Sequence, residues 1–188
     1  MNEPIIVVSG LPRSGTSMMM KMLEAGGIEV VTDMIREADA DNPRGYYEFE
    51  QAKKVETDDS WLPGMRGKAF KMVSMLLKKL PKGFEYKVIF MCRDMEEILA
   101  SQAKMLERLG KPAGPDDASM ADHFSGHLSD LETWLAGVEN FDVLYIQYAD
   151  VIASGDASAR RIAEFIGHPM DVSAMEKVID ASLYRNRC

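Results

Sequence analysis

The segment from Gly10 to Ser17, with the sequence GLPRSGTS, has the composition of an anion-binding loop. Its two glycines and its proline let the backbone turn tightly, so that several N–H groups can point toward one phosphate-like group. The apolar, β-branched run from Ile5 to Val8 precedes it and is typical of a buried parallel strand. A methionine-rich helical pattern follows and ends at Gly26-Gly27. Strand, loop and helix together predict a site where backbone amides and a helix N-terminus bind one anion.

One position in this loop departs from the pattern of nucleotide-hydrolysing P-loops. That pattern is G-x-x-x-x-G-K-[ST], and the position of its lysine is occupied here by Thr16. Arg13, inside the loop, supplies a planar guanidinium instead. Because a guanidinium can donate two hydrogen bonds to one phosphate or sulfate, Arg13 is a candidate anion ligand.

A second candidate anion site follows the apolar run YKVIFM, which predicts a strand from Tyr86 to Met91. Arg93 lies where this strand gives way to a helix, and Ser101 follows two helical turns later on broadly the same side. Ligands of parallel α/β sheets bind at this edge, so the pair can bind a second anionic group. The alternative is that Arg93 only pairs with Asp94 or with a surface carboxylate.

The pattern of elements that must position these residues is an alternation of strands and helices without internal repeats. Further strands are predicted at residues 28–31, 69–73 and 141–147, and charged residues 49–60 predict a helix. The fold class is therefore α/β, with a parallel sheet of about five strands, helices on both faces and a P-loop NTPase-like arrangement. By length, residues 1–188 form a single domain.

Composition restricts the partners. The chain has 22 basic and 30 acidic residues, a net charge of −8, which argues against nucleic-acid binding and stable membrane association. Its apolar runs are too short to span a bilayer, and the first strand begins too early for a signal peptide, so we expect a cytoplasmic protein. Cys92 and Cys188 lack metal-ligand spacing and are expected to be free thiols. His123 and His127 share a helix face but lack a third ligand, so no metal site is predicted.

Taken together, PRSGTS at residues 12–17 resembles the 5′-phosphosulfate loop of the sulfotransferases. These enzymes transfer a sulfuryl group from 3′-phosphoadenosine 5′-phosphosulfate (PAPS) to an acceptor and release 3′-phosphoadenosine 5′-phosphate (PAP). Arg93 and Ser101 are similar to the pair that binds the 3′-phosphate in this family. The resemblance implies that the 5′ end of PAPS is held by Arg13, Ser14, Gly15, Thr16 and Ser17.

The resemblance also implies that the terminal segment SLYRNR, through Arg185, folds over the 3′-phosphate, although a solvated tail is an equal alternative. YADV, from Tyr148, resembles a segment that follows the last strand in this family and is expected to be structural.

The resemblance also suggests catalytic residues. Lys71 occupies the place of a basic residue that neutralises charge on the bridging oxygen as the sulfuryl group leaves, with Lys68 as the rival candidate. Arg13, in the loop itself, is the second catalytic candidate. Sulfuryl transfer in this family needs no metal ion.

The acceptor hydroxyl or amine also needs a base to take its proton. Glu48 is the first candidate, because the two tyrosines before it could exclude water and raise its pKa. Other candidates are Asp33, Glu37 and His123. Glu48 could equally cap the next helix.

The resulting hypothesis is a PAPS-dependent sulfotransferase acting on a small-molecule or glycan-type acceptor by in-line displacement. One alternative is a small-molecule kinase that uses Mg²⁺ and ATP, disfavoured by Thr16 and by the lack of a Mg²⁺-binding aspartate at a strand end other than Asp94. Another is a protein that binds PAPS or PAP without catalysis.

Overall fold

The computed structural model describes residues 3–33, 45–112, 114 and 116–180. Its central sheet has four parallel strands in the order β2-β1-β3-β4. The strands are β1 (Ile5–Gly10), β2 (Ala69–Lys71), β3 (Tyr86–Cys92) and β4 (Phe141–Gln147). Because all four are parallel, their carboxyl ends meet at one edge of the sheet, where β1 is in register with its neighbours at Val8–Lys71 and Gly10–Met91.

Six α-helices and three short 3₁₀ helices surround the sheet in the described part of the chain. The α-helices are α1 (Thr16–Ala25), α2 (Met95–Arg108), α3 (Asp117–Leu135), α4 (Tyr148–Ala153), α5 (Gly155–Ile166) and α6 (Val172–Lys177). The 3₁₀ helices span Glu50–Lys54, Leu62–Met65 and Ser74–Lys79. None of the helices in the described ranges is long and apolar enough to cross a membrane.

Alternate residues of β1 pack into two different cores. Ile6 and Val8 face a core that includes α1, α5 and α6, whereas Ile5 and Val7 face a core that includes α3 and the 3₁₀ helices. Both sets are almost fully buried, as expected for a central strand covered on both faces. The prediction of a parallel α/β sheet with helices on both faces is confirmed.

The predicted strand at residues 28–31 forms only a single parallel bridge, between Val30 and Ala69. The chain leaves β2 immediately afterwards, because the Thr32 hydroxyl and the Asp33 amide both donate hydrogen bonds to the Glu48 carbonyl oxygen, at 2.9 and 3.1 Å. The sheet therefore has four strands among the described residues rather than five. The helix predicted at residues 49–60 is the shorter 3₁₀ helix Glu50–Lys54.

Candidate functional site

The loop between β1 and α1 has the tight backbone that its sequence predicts. Gly10, Arg13 and Gly15 have φ angles of 151°, 71° and 97°, in the region that favours glycine. A Cβ added at Gly10 would lie 2.5 Å from Ser14 Oγ and 2.6 Å from the Met91 carbonyl oxygen. Glycine is therefore required at this position, where the loop begins beside β3.

The start of α1 is open to an anion. Gly15 is the N-cap residue, and no side chain in the described ranges caps the helix. Ser14 is 1% exposed, and its Oγ has no hydrogen-bond partner in the part of the chain that the structure describes. Because buried hydroxyls are almost always hydrogen-bonded, this atom points to a ligand oxygen as the missing partner.

The structure brings the two predicted anion sites together. Arg13 Nε donates a hydrogen bond to Ser101 Oγ at 2.9 Å, and Arg93 Nη1 donates to the Arg13 carbonyl oxygen at 3.1 Å. Since Ser101 accepts from Arg13, its own O–H can be donated to an anion. Arg13, Arg93 and Ser101 are thus joined by hydrogen bonds at the carboxyl edge of the sheet.

Arg93 is held by a buried ion pair. Its Nε donates to Glu97 Oε2 at 2.8 Å, and the two side chains are 8% and 5% exposed. Asp94, which the sequence offered as a partner, instead caps α2 by accepting from the amides of Glu96 and Glu97. The partner of Arg93 is therefore the buried Glu97, rather than Asp94 or a surface carboxylate.

Tyr148, expected to be structural, lies inside this site. The Arg93 guanidinium stacks over its ring at 4.5 Å from the centroid. A Cβ added at Gly15 would lie 2.4 Å from Tyr148 Cδ2, so the same ring also packs against the anion-binding loop. Burial raises the pKa of Tyr148 even though the Arg93 charge opposes that effect. The available sequence signal was its place directly after a strand, at the edge where ligands bind.

Lys71 reaches the loop from the other side. Its Nζ lies 3.4 Å from Ser17 Oγ and also donates to the Tyr46 carbonyl oxygen, which accepts from Ser17 Oγ at 3.1 Å as well. Lys68 points elsewhere and forms an ion pair with Glu29 at 2.7 Å. Of the two candidate lysines, only Lys71 contacts the anion-binding loop. The Tyr46 carbonyl was missed because no side-chain pattern marks a main-chain acceptor.

The candidate bases differ in their surroundings. Glu48 Oε2 accepts a hydrogen bond from Lys53 Nζ at 2.9 Å, and the Glu48 side chain is 20% exposed. Asp33 Oδ2 accepts from the Glu50 amide at 2.6 Å, so it is Asp33, rather than Glu48, that caps the following 3₁₀ helix. Tyr47, next to Glu48, donates its O–H to Glu24 Oε2 at 2.6 Å. The pKa of Tyr47 is raised mainly by burial and, to a smaller extent, by this hydrogen bond.

His123 and His127 both lie on α3. His127 Nε2 lies 2.9 Å from Ser74 Oγ, and burial lowers the pKa of His127. Within the described ranges, no group of three or more His, Cys, Asp and Glu side chains could hold a metal ion. Glu37 and Arg185, named from the sequence as candidate base and 3′-phosphate ligand, lie outside the described residues.

The fold is that of an α/β protein with a P-loop-like arrangement, and its candidate anion site lies at the carboxyl edge of the sheet. The sulfotransferase domain family matches residues 3–187, so the chain belongs to the sulfotransferase domain family. The resemblance seen in PRSGTS is confirmed.

A plant sulfotransferase is similar in sequence to this chain, at low identity. The chain is 25% identical over 190 residues to cytosolic sulfotransferase 1 of Arabidopsis thaliana. The match covers 87% of this chain and 56% of the plant protein. The chain thus spans little more than half the length of this relative.

Solved structures share the fold. Mouse sulfotransferase SULT7A1 complexed with PAP has a TM-score of 0.54 at 18% identity, over 97% of this chain and 63% of that one. The sulfotransferase domain of the curacin biosynthetic pathway has a TM-score of 0.58 at 12% identity, over 95% and 78% of the two chains. Sulfotransferase STF1 of Mycobacterium tuberculosis has a TM-score of 0.57 at 15% identity, over 98% and 76%. At these identities the likeness concerns the fold alone.

Proposed function

We propose that this chain is a PAPS-dependent sulfotransferase that transfers a sulfuryl group to a hydroxyl or amine by metal-independent in-line displacement. The observation that carries the proposal is the contact between the two anion sites, in which Arg13 donates to Ser101 and Arg93 donates to the Arg13 carbonyl. A nucleotide with charge at both its 5′ and 3′ ends matches two adjoining cationic sites better than ATP does. The Arabidopsis relative is named a cytosolic enzyme, which supports the same location for this chain.

The residues present fit PAPS, which supplies the sulfuryl group when bound. The loop offers backbone amides, the uncapped start of α1 and the buried Ser14 hydroxyl to an anion. Thr16 takes the position of the P-loop lysine, and Asp94 serves as a helix cap, which both disfavour a Mg²⁺-ATP kinase. We assign the 5′-phosphosulfate to the residues of the loop: Arg13, Ser14, Gly15, Thr16 and Ser17.

The 3′-phosphate is assigned to Arg93 and Ser101, with Arg185 as a further ligand. Glu97 orients Arg93 through their buried ion pair, and Arg13 orients the Ser101 hydroxyl. Arg93 and Ser101 are thus each held by a second side chain before the phosphate binds, which reduces the entropy lost on binding.

Lys71 is assigned to the charge that develops on the leaving oxygen. Its contact with Ser17 keeps the ammonium beside the loop, where electrostatic stabilisation of a transition state is worth a few kcal/mol. Glu48 is assigned as the base. Asp33 is the weaker candidate because its carboxylate caps the Glu50 amide.

The proposal is tested by calorimetric titration with PAP, Mg²⁺-ATP and 5′-AMP, followed by measurement of PAP release from PAPS in the presence of acceptors. We expect PAP to bind with micromolar affinity and 5′-AMP to bind at least about tenfold more weakly, because 5′-AMP lacks the 3′-phosphate and its charge-assisted hydrogen bonds. Preference for Mg²⁺-ATP would instead indicate a kinase. Tight PAP binding without turnover on any acceptor would indicate a non-catalytic binding protein.

A further inference from the structure

Two exposed apolar side chains follow Lys71 in the sequence. Val73 is 42% exposed and Met75 is 36% exposed, which makes them two of the few large hydrophobic residues left in solvent in the described ranges. Between them, Ser74 is fully buried. Exposed and buried residues therefore alternate directly beyond the carboxyl end of β2.

Val73 lies on the same face of the chain as Lys71. The backbone stays extended past the end of β2, because Met72 donates its amide to the Val8 carbonyl oxygen and Val73 has φ −67° and ψ 146°. Phe70 and Met72 both pack into the core on one face of the sheet. Since side chains alternate along an extended segment, Lys71 and Val73 lie on the opposite face. That face is where Lys71 contacts Ser17 of the anion-binding loop.

A contact with α3 holds this segment in place. The Ser74 hydroxyl oxygen lies 2.9 Å from His127 Nε2. Its distance to the sulfur of Met75 is longer, 3.5 Å. Burial, Lys78 and His123 lower the pKa of His127 while Asp130 opposes them, and a neutral ring can accept a hydrogen bond from the Ser74 hydroxyl. With Ser74 anchored, Val73 and Met75 are kept at the surface.

We infer that Val73 and Met75 contact the acceptor, and that the acceptor carries an apolar carbon skeleton beside its reacting hydroxyl or amine. The inference rests on the proposed function, since it takes the reacting group to approach Lys71. An apolar skeleton would cover the two side chains and remove their surface from water. A glycan, which bears hydroxyls on most of its carbons, would lose hydrogen bonds to water against the same methyl groups. An apolar alcohol or amine thus fits this surface better than a glycan does.

The experiment follows the methionine methyl resonances of the full chain during titration with 1-hexanol, 1-octanol and erythritol, with and without PAP. A Met75→Leu variant assigns the Met75 resonance. We expect this resonance to shift saturably with the two apolar alcohols and not with erythritol. Affinity should rise by up to about fourfold for each methylene that becomes buried.

Variants locate the binding surface. Val73→Ser should weaken 1-octanol binding by about three- to tenfold, whereas Val73→Ile should retain it. Tyr145→Ser is the matched control, because Tyr145 is 39% exposed but lies on β4, at the other end of the sheet from β2. It should leave the titration unchanged.

The outcomes separate this inference from the proposed function. A Met75 resonance that does not respond to 1-octanol, equal binding of erythritol, or unchanged affinity in Val73→Ser would overturn the inference, even if PAP binds. Absence of PAP binding together with a response that depends on Val73 would support the apolar surface and reject the donor assignment.

Discussion

The donor and acceptor sides of the proposed site are built differently. On the donor side, the loop, Arg93 and Tyr148 are held by buried contacts, such as the Arg93–Glu97 pair at 8% and 5% exposure. On the acceptor side, Glu48 pairs with Lys53, whose side chain is 51% exposed. A buried pair is costly to break, whereas an exposed pair contributes little. The donor side is therefore expected to be rigid and demanding of its residues, and the acceptor side to tolerate change and to determine the choice of substrate.

The comparison predicts that a change at the base separates turnover from donor binding. Glu48→Gln should reduce turnover by about 10²- to 10⁴-fold, because an amide cannot take the acceptor's proton. PAP affinity measured by calorimetry should stay within about twofold of the unmodified chain, since the substitution lies outside the donor side. Asp33→Asn is the matched control, and a larger loss there than in Glu48→Gln would make Asp33 the base.

On the donor side, removal of Glu97 should cost the most stability. Glu97→Ala leaves the Arg93 charge buried without this carboxylate, so the free energy of unfolding should fall by about 3–5 kcal/mol. Urea denaturation measures the change. Glu96→Ala, one residue earlier and exposed, should cost less than about 1 kcal/mol. Similar losses in the two variants would mean that the buried pair does not distinguish the donor side.

Lys71 stands between the two sides, and its removal should affect chemistry. Lys71→Met should lower the single-turnover rate with PAPS by about 10²-fold, equivalent to about 3 kcal/mol of transition-state stabilisation. Lys68→Met removes a lysine whose partner is the exposed Glu29, so it should leave the rate unchanged. A slower reaction in Lys68→Met than in Lys71→Met would reverse the assignment.

Alanine variants of two glycines with the same φ distinguish the cost of backbone strain from the cost of contact with the site. Gly15 and Gly27 both have φ 97°, but an added Cβ meets the Tyr148 ring only at Gly15 and nothing within 4 Å at Gly27. Each alanine variant should lose about 1–2 kcal/mol of stability from the backbone alone. Only Gly15→Ala should also weaken PAP binding, by about tenfold or more, because the ring and the loop must move apart. Equal PAP affinities in the two variants would show that the loop tolerates this displacement.

The smallest effect is expected at the exposed ion pair. Lys53→Ala should change the free energy of unfolding by less than about 1 kcal/mol, because solvent screens its contacts with Glu48 and Glu50. Thermal or urea denaturation of Lys53→Ala beside Glu97→Ala measures the contrast directly. A loss above about 2 kcal/mol for Lys53→Ala would remove the distinction between the two sides.

Much of the donor side could be read from the sequence because its signals are local. The strand, loop and helix around GLPRSGTS are contiguous, and the spacing from Arg93 to Ser101 is that of one helix. The parallel α/β class follows from the alternation of elements in the same way. The fifth strand, predicted at residues 28–31, is only a bridge between Val30 and Ala69. The chain turns away just beyond it, where Thr32 and Asp33 donate hydrogen bonds to the Glu48 carbonyl, a distant acceptor that no local pattern marks.

By itself, the sequence determined the family, the fold class and the strand, loop and helix around GLPRSGTS, since residues close in the chain produce these features. Tertiary structure decided which lysine contacts the loop, that Glu97 rather than Asp94 pairs with Arg93, and that Tyr148 packs between Arg93 and Gly15. It also decided that Val73 remains exposed on the Lys71 face. These features join elements that are far apart in the chain, and only the packing of helices on the sheet brings their side chains within contact distance.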